Sequence, residues 1–284
     1  LVSWMEANVQ FPNAMVDRIT PVTTPADIEA LETRFGVTDA WPVVCEPFRQ
    51  WVVEDNFTSG RPAWDNVGAQ FVPDVSPYEK MKVRMLNGSH TALAFTGILH
   101  TYSLVYETMA DSLFGGFLNG FMEHEVTPIL DPAAVPGVDL ADYRKTLLQR
   151  FANPNIKDQL ARICSETSAK APKFLVATIN DHLNSGSSVQ KVRRCAVVLA
   201  AWCRYLQLSV GEGDVPGYAV QDDMKEELVS AAIASQTAGN SAAFLRLSLI
   251  FGDLGENTAF AELFGLYLAM LCEHGIMYVL KSLE

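Results

Sequence analysis

The chain has 284 residues, 49% of them hydrophobic, enough for one large or two modest domains with their own cores. A formal charge of -12 and a pI near 4.9 argue against nucleic acid and against anionic membranes as partners. The five cysteines (Cys45, Cys164, Cys195, Cys203 and Cys272) form no CxxC pair. That pattern predicts reduced, buried thiols in a cytoplasmic protein, not a disulfide framework or a structural zinc site.

The start, Leu1-Val-Ser-Trp-Met-Glu6, has neither the basic head nor the apolar run of a secretory signal. A leading leucine is expected of a fragment or a processed product. Prolines, glycines and short β-rich runs then dominate to about residue 75. A helix is predicted over 24–35, opened by Thr24-Pro25 and closed by Gly36. Short strands are predicted at Trp41-Pro-Val-Val-Cys45, Gln50-Trp-Val-Val-Glu54 and Gly68-Ala-Gln-Phe-Val72. These are too few for a stable independent sheet, so they are expected to pair with a preceding domain or another chain.

From residue 76 the pattern is helical. Helices are predicted near 77–109, 112–127, 139–152, 155–167, 172–184, 188–208, 221–236, 240–251 and 257–281. They are separated by breakers at Asp131-Pro132, Pro136-Gly137, Asn153-Pro154, Asn184-Ser-Gly186 and Gly211 to Gly217. The domain division expected is therefore 1–75, strands plus one helix, and 76–284, all helical. The uncharged span 85–106 is long enough for a bilayer, but its Asn, Ser, Thr and His content favours a core helix. The acidic cluster Asp222-Asp223 with Glu226-Glu227 is read as a solvated helix face, and Leu113–Phe121 as core.

Chemistry concentrates in Lys82-Val-Arg-Met-Leu-Asn87-Gly-Ser-His90, which sets an amine, an amide and an imidazole in an otherwise apolar stretch. Buried polar groups without partners cost about 2–7 kcal/mol each, so this run points to function. On an ideal helix His90 lies about 80° from Lys82 and Asn87 about 140° from it, fanning over one broad face. Gly88 would let a ligand or another backbone come close. Ser76-Pro77-Tyr78-Glu79 reads as a capping box at the helix start.

Several phrases together resemble the polyol-specific long-chain dehydrogenases, the mannitol dehydrogenase family. They are Phe11-Pro-Asn-Ala-Met-Val-Asp17-Arg-Ile-Thr-Pro21, Asp39-Ala-Trp-Pro-Val-Val-Cys-Glu-Pro-Phe48, Trp51-Val-Val-Glu-Asp55, Tyr78 through His90, Val135-Pro-Gly-Val-Asp139 and Arg150-Phe-Ala-Asn-Pro154. The likeness covers essentially the whole chain. It implies an N-terminal dinucleotide-binding domain followed by a mostly α-helical substrate domain. It also implies metal-independent hydride transfer between NAD or NADP and a polyol, interconverting D-mannitol and D-fructose. The chain has no GxGxxG loop and lacks the family's Cys-Asp-Asn phrase. It is therefore expected to be the C-terminal part of such an enzyme, mainly α. Its first 75 residues would complete an absent Rossmann-like domain, and no cofactor-binding residue is assigned.

The resemblance also implies roles. Lys82 would be the general acid/base, a role that needs the neutral amine burial favours; the alternative is a structural lysine paired with Glu79. Asn87 would donate to the developing oxyanion and His90 would orient the substrate hydroxyl. Glu79 is read both as a cap and as a proton relay between Lys82 and solvent. Asp17, in Val-Asp-Arg, would hold substrate hydroxyls; the alternative is an ion pair with Arg18. Arg162 and Lys170 would bind the outer hydroxyls of an open-chain sugar, or form a solvated helix end. A D-arabinitol dehydrogenase, a fructuronate or tagaturonate reductase, or a catalytically silent helical fragment are the rival readings.

Overall fold

The computed structural model describes residues 1–211, 217–237 and 240–284. Of the Gly211 to Gly217 breaker, residues 212–216 lie outside the described residues. The chain forms two compact units, Leu1–Lys82 with Asp131–Gly137, and Val83–Leu130 with Val138–Glu284. The division therefore falls after the first turns of the motif-bearing helical run, seven residues beyond the break in composition at residue 75.

In the first unit a three-stranded sheet is built from β1 (Ala14–Asp17), β2 (Gln50–Glu54) and β3 (Gln70–Val72) in that order. β1 runs antiparallel to β2 with Met15 opposite Val52, and β3 runs parallel to β2 with Phe71 opposite Val53. β2 matches the predicted run at both ends. The run Trp41–Cys45 is no strand: Pro42 has no N–H to give a ladder, and Trp41 and Val43 are exposed. Trp51, Phe57, Trp64 and Phe71 pack ring on ring beside the sheet, with the Arg61 guanidinium 3.6 Å from the Phe71 ring centroid.

Three helices complete this unit: α1 (Val2–Asn8), α2 (Pro25–Phe35) and α3 (Ser76–Lys82). α2 has the ends its sequence specifies. Thr24 and Asp27 form a reciprocal capping box, and Gly36 closes the helix at φ 65. α3 starts one residue earlier than a Ser76 cap would place it. Asp74 caps it instead, accepting the Ser76 N–H at 2.9 Å, and those hydrogen bonds hold the Asp74 carboxyl below its ordinary range.

The second unit is all helical among its described residues: α4 (Gly88–Ile98), α5 (Val105–Ala110), α6 (Ser112–Phe121), α7 (Leu140–Phe151), α8 (Leu160–Ile163), α9 (Thr167–Ala171), α10 (Ala177–Asn184), α11 (Arg193–Leu208), α12 (Lys225–Ala234), α13 (Ser248–Phe251) and α14 (Thr258–Lys281). α11 is its axis, packed against α4, α12 and α14. Thirteen of its sixteen residues are buried, as expected of a helix apolar on most sides. Around it Trp202, Phe95, Phe244, Phe251 and Phe264 form one aromatic core. α14 is long and apolar enough to cross a membrane, and its inner face is spent on α11.

Several predicted helices are interrupted. The run 77–109 stops at Ile98; Thr101 takes a positive φ of 68 and Leu104 bridges to Gln159 before α5 begins. The run 155–167 reduces to the single turn of α8, because Gln159 is extended and Glu166 is left-handed at φ 49. The stretch 240–251 is a 3-10 turn, Phe244–Arg246, followed by α13. Of the cysteines, Cys164, Cys195 and Cys203 are buried and unpaired, whereas Cys45 is half-buried and Cys272 exposed.

Candidate active site

In the first unit, Lys82 ends α3. It is half-buried and makes no hydrogen bond or ion pair among the described residues. Glu79, one turn earlier, is exposed and forms no ion pair with it, so the structural pairing gives way. Tyr78 and Met81 fix the helix through its buried face; Tyr78 Oη donates to the Pro136 carbonyl at 2.9 Å and accepts from Gln70 Nε2 at 2.9 Å. Asp17, the last residue of β1, is 1% exposed. Its neighbour Arg18 donates through Nε to the Glu46 carbonyl at 2.9 Å, while the Glu46 carboxylate accepts the Ile19 N–H at 2.6 Å.

In the second unit the run resumes as a π-turn, Val83–Asn87, which passes into α4. A widened turn here means that ideal-helix angles do not carry through to Asn87 and His90. Asn87 is half-buried, and its carboxamide has no hydrogen-bond partner among the described residues. The His90 ring stands 4.6 Å from that of Phe151, tilted by 53°. The Phe121 ring lies against Gly88, where a Cβ would meet it at 3.5 Å, an ordinary van der Waals contact.

Arg162 and Lys170 meet at the corner joining α8 and α9. Asp158, 2% exposed, accepts from Arg162 Nε at 3.0 Å and Nη2 at 2.5 Å through Oδ1, while its Oδ2 is buried without a partner. Lys170 Nζ donates to the carbonyls of Ser165 and Ile163, the groups the end of α8 leaves over. Burial, and after it the Arg162 charge, holds the Lys170 ammonium below the ordinary lysine range. Asp222 clasps the same corner, accepting from the Ser168 N–H at 2.9 Å and Oγ at 2.5 Å, so it is not merely a solvated acid. The Lys170 side chain is thus a clamp for the turn as well as a cation.

Other buried polar groups are assigned no role by the sequence. Arg84, 8% exposed, donates through Nη1 to Thr178 Oγ1 at 2.8 Å and pairs with Asp181 at 3.4 Å. His182 Nε2 hydrogen-bonds the Glu125 carbonyl at 2.6 Å. The Glu125 carboxylate accepts the N–H groups of Arg194 and Cys195. Their hydrogen-bond partners lie between 57 and 94 residues away in sequence. Only the charges in an apolar run hinted at them. Among the described residues no three His, Cys, Asp or Glu side chains come together to hold a metal ion.

The model of the mannitol dehydrogenase C-terminal domain matches residues 74–271, and that of the mannitol dehydrogenase Rossmann domain matches residues 1–66. The second match leaves the expectation of an absent dinucleotide-binding domain without support. Mannitol 2-dehydrogenase of Aspergillus terreus is 42% identical over 281 residues, covering 98% of this chain and 54% of the relative. A solved mannitol 2-dehydrogenase of Pseudomonas fluorescens, in ternary complex with NAD and D-mannitol, superposes with a TM-score of 0.88 at 45% identity, covering 99% of this chain and 56% of that one. A D-sorbitol dehydrogenase in substrate-free form superposes at 0.83 with 31% identity, covering 96% and 55%. The chain spans about half the length of the curated relatives it matches. With a mostly helical unit, a small sheet and a family model matched over most of its length, the chain belongs to the mannitol dehydrogenase family.

Proposed function

We propose that this chain supplies the substrate-binding and proton-transferring residues of an NAD-dependent mannitol 2-dehydrogenase, which interconverts D-mannitol and D-fructose. The carrying observation is Lys82, a half-buried amine with no partner among the described residues, at the end of a helix whose register is fixed by Tyr78 and Met81. The relatives' names and the mannitol and NAD of the Pseudomonas fluorescens complex support the substrate and the cofactor. Residues 1–75 would belong to the dinucleotide-binding domain and residues 76–284 to the substrate domain.

The described residues include no glycine-rich strand–turn–helix to cradle a pyrophosphate, so no residue of this chain is assigned to the cofactor. The proton chemistry belongs to the chain itself. Oxidation of a secondary alcohol removes a hydride from carbon and a proton from oxygen. Lys82 Nζ, as the neutral amine, takes that proton, and as the ammonium returns it in ketone reduction. Asn87 Nδ2 donates to the oxygen as charge develops, which fits a carboxamide not otherwise engaged. His90 orients the same hydroxyl, and exposed Glu79 relays the proton to solvent. Asp17, Arg162 and Lys170 hold the remaining hydroxyls.

The test is NADH formation from D-mannitol and NADH consumption with D-fructose, on the native polypeptide and its Lys82→Ala variant. Loss of about 10²–10⁴ in kcat on substitution is expected of a general acid/base. Turnover that survives Lys82→Ala would sink the lysine mechanism. Indifference to both sugars would direct the assay to D-arabinitol, fructuronate and tagaturonate.

A further inference from the structure

Three helical runs of the second unit are widened by π-turns, at Val83–Asn87, Met122–Val126 and Pro172–Val176. The first packs against both of the others. A π-turn shifts the hydrogen-bond ladder by one residue and leaves a carbonyl without its helical donor, so it needs outside support. One face of α10 supplies it. Thr178, Asp181 and His182 are spaced i, i+3, i+4 and so share that face. Thr178 Oγ1 accepts from Arg84 Nη1 at 2.8 Å and itself donates to the Phe174 carbonyl, inside the third π-turn, at 2.8 Å. His182 bonds the Glu125 carbonyl, inside the second. From the first π-turn the Arg84 guanidinium reaches this face, and it is buried there.

A buried guanidinium is an expensive way to fill space, since an apolar side chain of the same volume would pack there without desolvation. Its position explains the choice. Arg84 lies inside the turn that ends at Asn87 and passes directly into α4, which carries His90. Sliding this ladder by one residue would turn Asn87 and His90 through about 100°. We propose that Arg84, held by Thr178 and Asp181, is a positioning residue that fixes the register of the Val83–Asn87 turn and thereby aims Asn87 at the reacting oxygen. This rests on the role of Asn87 proposed above.

The experiment is steady-state oxidation of D-mannitol with NAD by the native polypeptide and by Arg84→Met, Arg84→Lys, Asn87→Ala and the Arg84→Met/Asn87→Ala double variant. Misplacing a catalytic group by about an ångström can cost 10²-fold, so Arg84→Met is expected to lower kcat roughly 10- to 100-fold with KM within about twofold. Arg84→Lys is expected to recover part of the loss. In the Asn87→Ala background Arg84→Met should cost less than about twofold, because the group it aims is gone. Equal losses in both backgrounds, or an unaltered kcat in Arg84→Met, overturn the proposal. An Asn87→Ala variant at full kcat overturns instead the catalytic reading beneath it. Should Arg84→Met not fold, Thr178→Val removes the acceptor and leaves the guanidinium; a kcat loss that vanishes with Asn87→Ala carries the proposal, and no kcat loss overturns it.

Discussion

Glu125 engages Arg194 twice: its Oε1 accepts the Arg194 main-chain N–H at 2.7 Å and lies 3.6 Å from the Arg194 Nη1. Oε2 accepts the Cys195 N–H at 2.9 Å. A carboxylate from a distant helix thus satisfies two of the orphan donors at the start of α11, the axis of the second unit. Burial nonetheless dominates its titration and pushes the Glu125 carboxyl up to about 7, against the lowering by those backbone donors and by Arg194.

A folded-state pKa above the unfolded one means that the native state favours the protonated acid. The associated stability is complete below about pH 4.5 and is lost as pH rises through about 7. Glu125→Gln cannot ionise. Its stability relative to the parent should therefore improve by about 2–3 kcal/mol between pH 4.5 and pH 8. Urea-denaturation midpoints of both proteins across that range provide the check, and a pH-independent difference would contradict it.

Gly120 gives this pair its room. A Cβ there would lie 2.7 Å from Arg194 Nε and Nη2. Gly120→Ala should drive the guanidinium off Glu125 and lower stability by about 1–3 kcal/mol, the usual range for overpacking. Adding Arg194→Met, whose side chain can bend aside, should make the double variant less destabilised than the sum of the singles. Calorimetric melting of the four proteins reads this directly.

Gly97 is a second close approach, between α4, α5 and α8. A methyl at this position would meet Thr108 Oγ1 at 2.6 Å and Leu160 Cδ1 at 2.9 Å. Both neighbours are fully buried. Gly97→Ala should cost about 1–3 kcal/mol despite alanine's better helix propensity, which is worth about 1 kcal/mol. A melting temperature equal to the parent's would show that the two neighbours can yield.

Asp158 holds Arg162 by its Oδ1 at the corner that also carries Lys170. If Arg162 binds an outer hydroxyl equally in ground and transition states, freeing it should raise KM and leave kcat nearly alone. Asp158→Asn is expected to raise the KM for D-mannitol several-fold, on the order of 1 kcal/mol of binding. A variant in which Arg162→Ala raises KM and Asp158→Asn does not would separate the two residues.

Features with local causes were legible in the sequence. α2 was readable at both ends because Thr24, Pro25 and Gly36 act on their immediate neighbours. β2 was readable because Gln50–Glu54 is rich in residues that fit a pleated sheet. β1 was not, since Ala14–Asp17 is four residues long and is a strand only by pairing with β2. The three π-turns have no marker in composition; each is tied to α10 through Thr178, Asp181 or His182, residues distant in sequence from at least two of the turns. The end of the first long run at Ile98 likewise depends on the bridge from Leu104 to Gln159.

The sequence by itself determined the helical unit, the family and the order Lys82, Asn87, His90, because periodicity, turn residues and motif spacing are properties of neighbours in the chain. Only the tertiary structure decided that Phe121 lies against Gly88, that Glu125 caps α11, that Asp158 holds Arg162 and that Arg84 reaches Thr178. Each of those contacts satisfies a buried polar group or fills a buried volume. The partner for such a group is set by where the chain returns in space, and sequence separation does not encode it.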